Sequence, residues 1–170
     1  VLFRSHIMSY VDLHVHSNAS DGTLSPEQVV RLAHEAGLSA IALTDHDTTA
    51  GVAGAAEAGA ELGLEVVPGI EVSSSFRDHE IHILGLFVDT DSPSLQAALK
   101  EFRHHRDQRN QEMLGRFDAH GIHLTAEDLC AGNPDTVITR AHVARALLAK
   151  GLGPDLDHIF KKYLQYGGIY

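Results

Sequence analysis

The sequence predicts an α/β fold followed by an all-helical segment, and three observations carry this. Strand and helix signals alternate from Tyr10, and the first three strands recur about every 25–30 residues with a helix between them. That spacing belongs to the βαβ unit of a parallel sheet or (β/α) barrel. The pattern changes near Asp91, after which only helical periodicity remains as far as residue 165. The chain has 170 residues, 44% hydrophobic and 21% charged, ordinary for one domain with a real core.

Each element has its own signal. Val11, Leu13 and Val15 alternate with Asp12, His14 and His16, a period of two that predicts a strand. Ser25-Pro26-Glu27-Gln28 opens a helix, with Ser as N-cap, Pro at the first position and Gln closing a capping box. Its apolar face is Val29, Val30, Leu32, Ala33 and Ala36, and Gly37 suits the position just past its end. Residues 40–43 are a short apolar run that reads as a buried strand, and residues 53–62 an Ala-rich helix stopped by Gly63. Residues 66–72 and 81–88 are the third and fourth strands. Residues 94–120 predict one long helix with Leu99, Phe102, Met113 and Phe117 at helical spacings. Thr125 opens a short helix, residues 139–150 form another, and residues 155–165 a last one. Residues 1–7 read as a remnant before a natural start at Met8. The domain reading is therefore 8–91 for the strand-bearing part, 92–165 for the helical part, and 166–170 for a returning extended segment.

Composition excludes several classes of function. No apolar run approaches the roughly 18 residues a membrane span needs. The single cysteine, Cys130, excludes a disulfide framework and a Cys-rich zinc module, and suits a reducing cytoplasm. The net charge of −10 is uneven: residues 8–90 hold 13 acids against two bases, whereas residues 91–170 hold ten of each. An acidic first half argues against membrane or non-specific nucleic-acid binding there. With 13 histidines in the chain, bound cations are the natural counter-charge.

The chemistry-bearing residues fall at strand ends. His14 and His16 are two apart on a strand and point to the same side, with Asp21 close behind. Two imidazoles and a carboxylate match the needs of a divalent cation. Asp45-His46-Asp47 directly follows the second strand, where Asp47 could also cap the next helix. Glu71 sits just past the third strand, in Pro68-Gly69-Ile70-Glu71, and His82 lies within the fourth, where a polar group is costly unless paired. Four successive strands each presenting His, Asp or Glu near one end is the informative pattern. His34, His79, His120, His123 and His158 carry no such argument. Arg103, His104, His105, Arg106 and Arg109 on the long helix read as a solvated basic face.

Asp12-Leu13-His14-Val15-His16-Ser17, Ser20-Asp21-Gly22-Thr23-Leu24-Ser25-Pro26, Leu43-Thr44-Asp45-His46-Asp47-Thr48, Pro68-Gly69-Ile70-Glu71-Val72-Ser73 and Ile81-His82-Ile83-Leu84-Gly85 together resemble the polymerase-and-histidinol-phosphatase (PHP) family of metal-dependent phosphoesterases. The resemblance implies a distorted (β/α)7 barrel, with the N-terminal strands present here and an all-helical insertion after the fourth. It implies two or three divalent ions, of Mn, Zn or Fe, held by His14, His16, Asp21, His46, Glu71 and His82. Asp12 and Asp45 flank ligand histidines and are expected to orient them from behind. A (β/α)8 barrel takes about 250 residues, so the chain reads as an N-terminal part, without the family's later strands and Asp-x-His pair.

Asn133-Pro134, Thr139-Arg140-Ala141-His142-Val143-Ala144-Arg145 and Phe160-Lys161-Lys162-Tyr163-Leu164 are similar to the helical insertion of small PHP enzymes acting on nucleotides. That likeness implies removal of the 3′-phosphate from nucleoside 3′,5′-bisphosphates and trimming of short 5′-phosphorylated RNA from its 5′ end. The reaction expected is hydrolysis by water that the cations acidify. Arg140, His142, Arg145, Lys161 and Lys162 are the expected substrate contacts. The expected partner is a small phosphorylated nucleotide or short RNA, with no membrane and no stable DNA complex. A histidinol-phosphate-type phosphatase and a non-catalytic metal-binding module are the competing readings.

Overall fold

The computed structural model describes residues 10–77, 79–130 and 132–165. The expected leader (1–7) and returning segment (166–170) lie outside them. The elements are β1 (Tyr10–Val15), α1 (Pro26–Glu35), β2 (Leu38–Leu43), α2 (Val52–Leu62), β3 (Glu65–Phe76) and β4 (His79–Leu86). Then come α3 (Pro93–Ala119), α4 (Ala126–Cys130), α5 (Arg140–Ala149), α6 (Leu156–Ile159) and a π-helical turn (Phe160–Leu164).

The four strands form one sheet in the order β1-β2-β3-β4. β1, β2 and β3 run parallel, joined by α1 and α2. β4 turns back antiparallel on β3, with Phe76 opposite His79. So short a connection leaves no room for a crossover helix, and a hairpin is the alternative. Arg77 takes up the reversal with φ of 49°.

Ser25 caps α1 as its sequence predicts, in a capping box with Gln28. α2 ends on Gly63, whose φ of 72° is a left-handed conformation that costs glycine little. Val29, Val30 and Ala33 of α1 and Ala55 and Ala58 of α2 pack on Ile41 and Leu43 of β2. Val30, Ile41 and Leu43 are fully buried, each worth roughly 1.5–3 kcal/mol relative to exposure. This apolar layer holds the strand ends, and the loops that follow them, in fixed relation.

The helical part has its own core, in which Met113 and Phe117 of α3 meet Leu129, Val143, Leu147, Ile159 and Leu164. Along α3 the buried positions are Leu99, Arg106, Asn110, Met113 and Phe117. Their steps of seven, four, three and four residues trace a single stripe on a helix. Arg106 is 7% exposed, so the basic run on α3 is not a uniformly solvated face. The last predicted helix is α6 continued by the π turn. Among the described residues no helix is long and apolar enough to cross a membrane.

Candidate metal centre

Glu71 is the hub of the site. Its Oε2 lies 2.9 Å from His14 Nε2, 2.9 Å from His16 Nε2 and 3.7 Å from His46 Nδ1, and its Oε1 lies 2.7 Å from His82 Nδ1. Asp21 closes the far side, with Oδ1 3.3 Å from His16 Nδ1 and Oδ2 3.3 Å from His46 Nε2. The four rings form a row, with centroids 5.1 Å apart for His14–His16, 4.8 Å for His16–His46 and 4.9 Å for His46–His82. All six residues singled out in the sequence as ligands therefore meet.

Local backbone geometry explains the meeting. After β2 ends, Asp47 N donates to Glu71 O at 3.0 Å and Glu71 N donates to Asp45 O at 3.2 Å, which sets His46 beside Glu71. In the β3–β4 hairpin Ser73 pairs with His82 and Glu71 with Leu84. Opposite residues share a face, so Glu71 and His82 are diagonal neighbours on one side of the sheet. Gly22 lets the loop fold tightly: a Cβ there would lie 2.5 Å from His16 O.

Three groups of ligand atoms lie close enough to hold an ion: His14, His16 and Glu71; His16, Asp21 and His46; and His46, Glu71 and His82. His46 Nδ1 is buried and has no hydrogen-bond partner among the described residues. An imidazole nitrogen left unpaired amid carboxylate oxygens fits a cation, and nitrogen–oxygen donors without thiolate suit divalent metals. Electrostatics agree. Burial pushes the Asp21 carboxyl up, but its bonds to His16 and His46 and their charges hold it well below the usual range. Glu71 is likewise lowered, burial opposing while His14, His46, His16 and His82 favour its charged form. Burial pulls His16 down, yet Asp21, Glu71 and Asp45 leave it raised.

The two expected orienting acids do other work. Asp45 is buried, and both its oxygens are taken by the loop bearing Asp21: Oδ1 accepts from Ser17 N at 2.7 Å and Ser20 Oγ at 2.6 Å, and Oδ2 from Ser17 Oγ at 2.6 Å. Asp12 accepts from the backbone N of His14 at 3.1 Å. Both anchor backbone, and neither carboxylate bonds an imidazole. Asp47 does not cap α2, whose N-cap is Gly51. Its Oδ1 accepts from Ser73 N at 2.9 Å, and its Oδ2 receives Arg106.

The helical part clamps the Asp21 loop. Asn133 Nδ2 donates to Asn18 O at 2.7 Å, Val137 N to Ala19 O at 2.9 Å and Thr136 Oγ1 to Ser20 O at 2.7 Å. Thr139 Oγ1 donates to Asp21 Oδ2 at 3.2 Å, and Arg145 Nη1 to Asp21 O at 3.1 Å. Of the expected substrate contacts, Arg145 thus braces the Asp21 loop. His142 is buried, and its Nδ1 accepts from Thr139 N at 3.0 Å in the capping box of α5. Burial, then the Arg145 charge, pushes its imidazole down to about 4, against the pull of Asp21. Arg140 pairs with Glu80. Lys161 and Lys162 are exposed on the π turn, Lys162 over the Tyr163 ring, and neither bonds a residue of the cluster.

Sequence reasoning missed Arg106, Thr139 and Glu80. Arg106 was readable from its place seven residues after Leu99 and seven before Met113. Glu80 was readable too, since a strand residue two before His82 shares its face.

A model of the PHP domain family matches residues 12–168. The chain is 40% identical over 162 residues to the 3′,5′-nucleoside bisphosphate phosphatase of Chromobacterium violaceum, covering 94% of this chain and 56% of that protein. It is 40% identical over 161 residues to the 5′-3′ exoribonuclease Rnm of Escherichia coli K12, covering 92% and 54%. The solved structure of an amidohydrolase from Chromobacterium violaceum, with bound sulfate and no metal, superposes with a TM-score of 0.86 at 40% identity, covering 93% of this chain and 56% of that one. The chain thus spans a little over half the length of the curated relatives it matches. With the family model spanning nearly the whole sequence and the same motifs gathered at one end of the sheet, this chain belongs to the PHP domain family.

Proposed function

We propose that the protein is a cytoplasmic metal-dependent phosphoesterase that removes a phosphate from nucleotides, nucleoside 3′,5′-bisphosphates foremost. The observation that carries this is the Glu71-centred cluster, with one buried imidazole nitrogen left unpaired inside it. His14, His16, Asp21, His46, Glu71 and His82 would hold two or three divalent ions of Mn, Zn or Fe. Such ions polarise phosphoryl oxygens and acidify water. The chain's own contribution is positional. Asp21 and Glu71 stay ionised at neutral pH, ready to bind cations. Thr139 and Arg145 fix Asp21, and Asp45 fixes its loop. The helical part, 92–165, brings arginines against an otherwise acidic half. A relative that acts on bisphosphates and one that holds sulfate, a tetrahedral anion like phosphate, both favour this reading.

The relative named as a 5′-3′ exoribonuclease supports a second substrate, short 5′-phosphorylated RNA. The test is phosphate release from adenosine 3′,5′-bisphosphate by the purified chain loaded with Mn²⁺, beside histidinol phosphate and a short 5′-phosphorylated RNA. Release from the bisphosphate, lost in His46→Ala, is expected. Release from histidinol phosphate alone, or from none while metal is bound stoichiometrically, contradicts it.

A further inference from the structure

His82 is the cluster imidazole farthest along the sheet. It stands on β4, last in the strand order among the described residues, and its side chain is 34% exposed. A ring so placed can turn away from the cluster by rotation of its side chain unless its outer nitrogen is also held.

Glu80 holds it. The two residues are two apart on β4 and so share a face. His82 Nε2 lies 3.1 Å from Glu80 Oε1, while Nδ1 of the same ring lies 2.7 Å from Glu71 Oε1. Both ring nitrogens are engaged, one by a carboxylate inside the cluster and one by a carboxylate outside it. Among the described residues, no other carboxylate from outside the cluster pairs with one of its imidazoles.

Glu80 is itself fixed by the helical part. Its Oε2 pairs with Arg140 at the start of α5, and its Oε1 lies 3.7 Å from Arg109 Nη1 of α3. Arg140 follows Thr139, whose hydroxyl bonds Asp21. Adjacent residues at the start of α5 thus brace two members of the cluster, Asp21 directly and His82 through Glu80.

A neutral imidazole has one N–H and one lone pair, and an ionised carboxylate can only accept. Glu80 at Nε2 therefore favours the tautomer with its proton there and leaves the Nδ1 lone pair facing the cluster. We infer that Glu80 is a positioning residue of the metal centre, acting through His82 and not as a ligand. This rests on the metal-dependent reading of the cluster and deepens it, because the helical part then helps to aim a cluster imidazole. A carboxylate behind a ligating histidine fixes the ring and raises its basicity, and losing one typically costs about 10–100-fold in metal affinity.

The test is titration of the purified, metal-stripped chain with Co²⁺, followed by visible absorption, in a double-variant cycle of Glu80→Ala and His82→Ala. Glu80→Ala is expected to weaken Co²⁺ binding about 10–100-fold with unchanged circular dichroism. Glu80→Gln keeps an oxygen that can accept from Nε2 and is expected to recover part of the loss. His82→Ala retains the other five members of the cluster. Adding Glu80→Ala to it is expected to change the affinity by less than about twofold, because Glu80 acts only through that ring. A merely structural loss would weaken both chains alike. Affinity of Glu80→Ala within about twofold of the unmodified chain, or the same loss with and without His82, overturns the assignment. Co²⁺ taken up by none of the chains contradicts the metal reading itself, and the assignment falls with it.

Discussion

Arg106 of α3 reaches the carboxylate of Asp47 and lays its Nε at 3.0 Å and its Nη2 at 2.5 Å from the same oxygen. Asp47 directly follows His46 of the cluster, in a left-handed conformation with φ of 51°. The other carboxylate oxygen holds the backbone of Ser73, two residues past Glu71. One ion pair therefore ties α3 to two of the segments that supply the cluster.

Removing one partner of a buried pair leaves the other charge stranded. Arg106→Ala is expected to lower unfolding free energy by about 3–5 kcal/mol in urea titrations. Adding Asp47→Asn is expected to cost much less than the sum of the two single changes, because the residues are in contact. A strictly additive double variant would show that the pair does not act as a unit.

Thr139 serves both the helix and the site. Its hydroxyl accepts from Ala141 N at 3.1 Å as the cap of α5, and it bonds Asp21. Thr139→Ala is expected to cost about 1–2 kcal/mol as a lost N-cap and to weaken metal uptake severalfold. Thr139→Ser retains the hydroxyl and is expected to restore both, read by thermal denaturation and Mn²⁺ titration.

The depressed imidazole of His142 predicts a pH dependence. In the unfolded chain its pKa is near 6.5, and in the folded protein it is about 4. The folded state favours the neutral ring, so this stabilisation is complete above about pH 6.5 and is lost as pH falls toward 4. It amounts to on the order of 3–4 kcal/mol if each pKa unit is worth about 1.4. His142→Asn is expected to flatten that part of the stability curve; an unchanged slope between pH 6.5 and 4 counts against it.

Gly22 is a packing prediction. An added methyl would meet the carbonyl oxygen of His16 at 2.5 Å and the carbonyl carbon of Ser17 at 2.7 Å, both backbone. Gly22→Ala is expected to destabilise the chain and to displace Asp21, lowering metal affinity more than a surface Gly115→Ala, whose added carbon meets nothing.

What was legible in the sequence was mostly local. His14 and His16 lie two apart, Asp45, His46 and Asp47 adjoin, and a strand end presents such neighbours together whatever the rest of the chain does. The βαβ spacing likewise declared the parallel strands, and Ser25 and Gly63 declared helix ends. Arg106 meets a residue 59 positions away, and Thr139 one 118 positions away, so neither partner shows in a local window, although the burial of Arg106 does. Asp45 adjoins His46 but lies past the end of β2 with its carboxylate spent on Ser17 and Ser20, and Asp12, two residues before His14, spends its own on the His14 backbone. His142 drew attention as part of the segment similar to the family's helical insertion, yet its ring satisfies a helix end.

We propose that Glu71 gathers imidazoles and a carboxylate into a metal site. The most direct measurement is elemental analysis of the chain after equilibration with Mn²⁺ or Zn²⁺ and gel filtration, beside Glu71→Ala. At least one tightly held ion per chain, lost with Glu71, is the expected result. Equal metal content in both proteins, or none in either, would contradict it.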